Sequence, residues 1–129
     1  MPLSSQKLIS FLATANSSVS RNFYCERLGF TLIYEDDFAL VLDAFGTELR
    51  IQKLREVSAQ PFTVLGWSVK SIRDVVISLT DAGVIFEQFE GMRQDSLSVW
   101  QSPSGAQIAW FKDPDENILS LTQQASSGI

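Results

Sequence analysis

Apolar residues along the chain change their spacing several times, and the changes mark out its elements. Lys7 to Thr14 ("KLISFLAT") is an apolar run of strand length. Asn16 or Ser17 can then cap a helix, because a side-chain oxygen there accepts the free amide hydrogens of a first turn. From Ser18 onward Val19, Phe23, Leu28 and the neighbouring Tyr24 fall on one helical face, and Gly29 stops the helix. Three short strands are expected next, Phe30 to Glu35, Phe38 to Asp43 and Thr47 to Leu54, with Asp36-Asp37 and Ala44-Phe45-Gly46 as their turns.

A polar linker follows over residues 55–62, and then the pattern restarts. Thr63 to Val69 reads as a strand and Ser71 as a cap. Ile72, Val75, Val76 and Leu79 form a helical stripe that ends at Ala82-Gly83. Strands are expected at Val84 to Phe89, Leu97 to Gln101, Ala106 to Lys112 and Ile118 to Gln123, with Ser102-Pro103-Ser104-Gly105 as a tight turn and a frayed tail from Gln124. "FYCERLGF" (Phe23 to Phe30) answers to "ISLTDAGVIF" (Ile77 to Phe86), and "TELRI" (Thr47 to Ile51) answers to "NILSL" (Asn117 to Leu121). The doubled order predicts an α+β fold of two βαβββ modules, residues 7–54 and 63–123, within one domain spanning 1–129. Each helix covers one sheet face, and the remaining faces curve as a mixed sheet around a cup-shaped cavity. A ferredoxin-like sandwich without a cavity is the competing arrangement.

Composition narrows the chemistry. Of 129 residues, 45% are hydrophobic and 19% charged, the balance of a globular protein with a real core. A net charge of −5 argues against a nucleic-acid partner. No apolar run has transmembrane length, and residues 1–7 lack the pattern of a signal peptide, so no membrane partner is expected. One cysteine, Cys25, permits a reducing cytoplasmic location; with no histidine to activate it, an inert thiol is the better reading. The absence of histidine removes Ser-His-Asp and Cys-His catalysis and every imidazole metal site. The seven glycines stand singly at turns, so there is no phosphate loop.

Two segments carry a family resemblance. "SRNFYCERLGF" (Ser20 to Phe30) resembles the helix signature of the vicinal oxygen chelate superfamily, which includes glyoxalase I, bleomycin-resistance proteins and extradiol dioxygenases. "WFKDPDENILSL" (Trp110 to Leu121) resembles its last hairpin, and "FALVLDAFGTELRI" (Phe38 to Ile51) resembles the first-half hairpin of its non-metal, bleomycin-resistance-like branch. Glu116 stands where that family usually has glycine, which implies a strained turn position or a different turn.

Metal-dependent members take ligands from the first and last strand of each half. Carried over by motif, those positions hold Ile9, Arg50, Val64 and Ser120. None is a competent donor for a divalent cation, and an arginine adds charge of the wrong sign. A slip of one residue reaches Ser10, Leu49, Leu65 and Leu119, and a slip of two reaches Glu48 or Gln52. No metal or other cofactor is therefore expected.

Strand alternation turns Leu49 and Ile51 toward the helix and Glu48, Arg50 and Gln52 away from it; likewise Leu119 and Leu121 pack while Ser120 and Thr122 face the cavity. With Phe11, Val64, Trp100 and Trp110 these polar residues are the expected ligand contacts. Arg50 either grips a carboxylate or phosphate through its guanidinium fork or pairs structurally with Glu48. Trp100 and Trp110 either stack on a planar ligand, close a dimer interface or simply pack. The leading expectation is a metal-independent, homodimeric binder of a small organic molecule. An alternative is a metal-independent lyase or isomerase with Glu48 as base, and a third is an interaction module whose cavity is filled by Phe11, Trp100 and Trp110.

Overall fold

Asn16 opens the first helix, as the pattern predicts: the Val19 amide donates to its side-chain oxygen at 3.3 Å. The structure, a computed structural model, describes residues 2–125; of the expected tail, residues 126–129 lie outside that range. The chain divides between Ser58 and Ala59 into two units, each with its own four-stranded mixed sheet. This is the α+β, two-module fold that the doubled sequence predicts.

In the first unit, β1 (Ile9–Thr14) leads to α1 (Ser17–Arg21), which runs on into a π-helical turn, Asn22–Arg27. The expectation of one uniform helix is corrected here. Leu28 N–H donates five residues back to Phe23 at 3.0 Å, and the wider turn seats two adjacent aromatic residues inward. Phe23 and Tyr24 are both buried, edge to face at 5.2 Å. Val19, expected in the apolar stripe, is exposed, and Ser20 is buried in its place. The buried set Ser20, Phe23 and Tyr24 keeps the i, i+3, i+4 spacing of one helical face. Gly29 ends the segment at φ +85°.

Next come β2 (Thr31–Glu35), β3 (Ala39–Ala44) and β4 (Thr47–Lys53). Their order is β1-β4-β3-β2, with β1 parallel to β4 and the other pairs antiparallel. Leu12, Leu40, Leu42, Leu49 and Ile51 are buried with the helix aromatics. At the rim, Glu35 accepts from Arg21 and from Lys53, each at 2.7 Å, which ties α1, β2 and β4 together.

The second unit comprises β5 (Thr63–Ser68), α2 (Ile72–Asp81), β6 (Trp100–Gln101), β7 (Gln107–Lys112) and β8 (Ile118–Gln123), ordered β5-β8-β7-β6. Ser71 caps α2, and the Ile72 amide donates to Gln123 at 2.9 Å, anchoring the helix start to β8. Ile72 and Val76 are buried, and Trp67 stacks on Phe111 at 6.2 Å.

Two strand expectations are corrected. Val84 to Phe89 makes one bridge, Phe86 with Phe111, and the strand expected over Leu97 to Gln101 shrinks to Trp100–Gln101. The reason is a shortage of partners. β8 occupies one edge of β7, and the other edge is divided: Trp100 and Gln101 take Ile108 and Gln107, while Phe86 and Glu87 take Phe111 and Trp110. Neither segment can extend without displacing the other.

The Asp113–Asn117 turn is organised by Asp113, which is buried. Its carboxylate accepts from the amides of Asp115 (2.9 Å) and Asn117 (3.0 Å) and from the Asn117 side chain (2.9 Å). The carboxylate of Asp113 thus serves the turn itself. Glu116 sits at φ +67°, a left-handed position that glycine adopts without steric penalty.

Two stability effects are expected. Glu116→Gly should raise unfolding stability by about 0.5–1 kcal/mol in urea titrations, the relief of a left-handed backbone offset in part by the looser unfolded chain; a loss would show that the side chain matters more than the backbone. Hydrogen bonding from Lys53, with the Lys53 and Arg21 charges, holds Glu35 below its ordinary value against a smaller opposing effect of burial. A depressed carboxyl stabilises the fold above its unfolded pKa of about 4.3 and loses that contribution as the pH falls through its folded pKa. The stability gap between wild type and Glu35→Gln should therefore be flat near neutrality and close only below pH of about 4; a gap unchanged at acid pH would contradict it.

Candidate functional site

The ladder registers decide which side chains share a surface. In the first unit, Phe11 lies opposite Arg50 and Ile9 opposite Glu48, while across the next pair Arg50 faces Val41 and Glu48 faces Asp43. Opposed residues share a face, so Ile9, Phe11, Glu48, Arg50 and Gln52 stand together on the face away from the helix. A register shift at Ile33 brings Tyr34 opposite Val41 and onto the same face.

Arg50 is engaged from both sides. Its Nε donates to Glu48 Oε2 at 2.6 Å and its Nη2 to the Tyr34 hydroxyl at 2.9 Å. The Glu48 hydrogen bond holds the guanidinium further toward its charged form, above its ordinary value. The pairing of Arg50 with Glu48 is thus present, and Nη1 lies outside this network. Phe11 is 56% exposed and Gln52 is exposed. At the other end of the face, Ile9, Ile33, Asp43, Gly46 and Glu48, with the segment Ser5–Leu8, line a cavity of about 560 Å³.

In the second unit, Ser120 is flanked by Gly66 on β5 and Trp110 on β7, and Thr122 by Ser68 and Ile108. Trp100 pairs with Ile108 and so joins this face. Trp110 meets Trp100 at 6.1 Å and Phe89, edge on, at 5.5 Å. Val64 sits at a register shift between Thr63 and Leu65. Strand alternation holds: Leu119 and Leu121 are buried on the side of Trp67 and Phe111, with Ser120, itself buried, and Thr122 on the opposite side.

Some participants were not among the predicted site residues. Asp43 and the Tyr34 contact depend on cross-strand register, which local pattern does not show. Phe89 reaches Trp110 because its segment leaves the ladder, a consequence of the divided edge of β7. Burial, reinforced by Glu26, raises Cys25 above the ordinary thiol range, the direction of an unreactive thiol.

The four positions carried over as metal sites do not fit a divalent cation. Ile9 and Val64 have no donor atom, Arg50 is a cation, and Ser120 offers one neutral hydroxyl. Among the described residues, no three His, Cys, Asp or Glu side chains converge. No helix among them is long and apolar enough to cross a membrane.

No protein-family model and no curated protein matches the sequence. Solved structures do. A glyoxalase family protein from Enterococcus faecalis is 25% identical with a TM-score of 0.72, covering 95% of this chain and 100% of its own. A bleomycin resistance determinant encoded on transposon Tn5 is 19% identical with a TM-score of 0.73, covering 93% of this chain and 98% of its own. A bleomycin-binding protein, solved with bleomycin bound, is 19% identical with a TM-score of 0.72, covering 93% and 99%. The chain has the fold of the glyoxalase/bleomycin resistance/dioxygenase proteins.

Proposed function

We propose that this chain binds a small organic molecule without a metal, as a homodimer in the cytoplasm. The observation that carries this is the open face of the second sheet, where Trp110, with Trp100 and Phe89 beside it, borders the hydroxyls of Ser120 and Thr122. Aromatic surface next to a few neutral polar groups is the makeup of a small-molecule site. Val64 adds an apolar side chain on β5. On the first sheet, Phe11, Gln52 and the free Nη1 of Arg50 offer the same mixture. Because Glu48 already compensates Arg50, that face holds a partly neutralised pair rather than a bare cation. The bleomycin-bound relative supports the class of partner, and the donor-poor positions Ile9, Arg50, Val64 and Ser120 support binding without a metal.

Native mass spectrometry of freshly purified protein should show a dimer carrying an organic molecule and no stoichiometric metal ion. Trp110→Ala should lose the organic molecule while the fold survives. A monomer carrying one divalent ion per chain would contradict the proposal.

A second reading, a metal-independent lyase or isomerase, is favoured by the place of Glu48 on the wall of the 560 Å³ cavity opposite Asp43. Glu48 Oε2 is committed to Arg50, which leaves Oε1 as the acceptor for a substrate proton. On this reading, Glu48→Gln abolishes turnover of any substrate found, with binding retained. Unchanged turnover in that variant rules Glu48 out as the base.

A further inference from the structure

Among the described residues, Gly66 is the one glycine without a positive φ, and the space where its side chain would stand is taken by the Ser120 hydroxyl. Its backbone does not take the left-handed form that explains Gly29, Gly46, Gly83, Gly91 and Gly105, so no turn requires a glycine there. A Cβ at Gly66 would lie 2.8 Å from Ser120 Oγ and 3.4 Å from the Ser120 carbonyl oxygen. The Ser120 hydroxyl is therefore directed into the space above Gly66. Trp110 stands on the other side of Ser120 in the same row of the ladder. The three residues form a notch: bare backbone, then a hydroxyl, then an indole.

Ser120 is 8% exposed, and its hydroxyl is not among the buried side-chain atoms that lack a partner. A polar atom entering the notch can take the place of water as the partner of this hydroxyl. No charged residue belongs to the Gly66-Ser120-Trp110 row, and the nearby Lys112 is paired with Glu87. The hydroxyl both donates and accepts, which selects a neutral group over an ion.

We propose that the Gly66-Ser120-Trp110 notch selects a neutral aromatic ligand bearing a hydroxyl, carbonyl or amide on its ring edge, with Ser120 Oγ as its hydrogen-bond partner and Gly66 as the residue that keeps the position open. This rests on the small-molecule reading above and adds the ligand class and the selecting residues. Ring area against Trp110 supplies general affinity, and the single hydrogen bond supplies discrimination.

Equilibrium dialysis with 2-naphthol, naphthalene and 2-naphthalenesulfonate tests the assignment. Wild type should hold 2-naphthol about tenfold more tightly than naphthalene, the effect of one buried hydrogen bond, and should hold the sulfonate most weakly. In Ser120→Ala the preference for 2-naphthol should vanish while naphthalene binding persists. Gly66→Ala should fill the notch and weaken both neutral probes, with circular dichroism unchanged because the Ser120 hydroxyl can rotate aside. Equal binding of 2-naphthol and naphthalene by wild type, or a preference that survives Ser120→Ala, would overturn the inference and leave small-molecule binding standing. Failure of all three probes to bind also overturns it; the broader reading falls with it only if native mass spectrometry finds no organic molecule either.

Discussion

Everything in each unit depends on a central strand with neighbours on both edges. β4 lies between β1 and β3, and β8 between β5 and β7. Both edges of such a strand are taken by backbone hydrogen bonds, so its sequence can act only through its two faces. In β4 the odd positions Leu49 and Ile51 are buried while Glu48, Arg50 and Gln52 occupy the other face; in β8 Leu119 and Leu121 are buried opposite Ser120 and Thr122. A slip of one residue would put Arg50 into the core and Leu49 onto the surface, and the same holds for Ser120 and Leu119. The burial of four aliphatic side chains thus fixes where the polar ones stand.

That constraint explains how much was legible beforehand. Alternation along "TELRI" and "NILSL" is a local signal with a two-residue period, so the facing of Arg50 and Ser120 could be read directly. Asn16, Ser71, Gly29 and Gly83 are caps whose chemistry is equally local. What stayed hidden depends on distant residues. The π-helical turn at Asn22–Arg27 answers to the space beneath Phe23 and Tyr24. The register shifts at Ile33 and Val64 show only against β3 and β8. Val84–Phe89 has ample strand propensity but meets an edge of β7 that Trp100 and Gln101 already share.

The scaffold is shared with solved structures that bear glyoxalase and bleomycin-binding names. A charged donor at position 120 would crowd the hydroxyl's place beside Gly66 and Trp110 and would demand a counter-charge that this row does not contain. Serine asks only for a neutral partner. Arg50 is likewise compensated inside its own sheet by Glu48 and Tyr34. Arg50 is thus not a bare cation on a chain that carries −5 overall.

The central proposal is that the chain binds an organic molecule without a metal ion. Calorimetric titration of chelator-dialysed protein with zinc and with manganese tests it most directly. The account predicts heats of dilution only, with no saturable uptake by the folded chain. A sharp transition at one ion per chain, lost in a Glu48→Ala or Ser120→Ala variant, would contradict it.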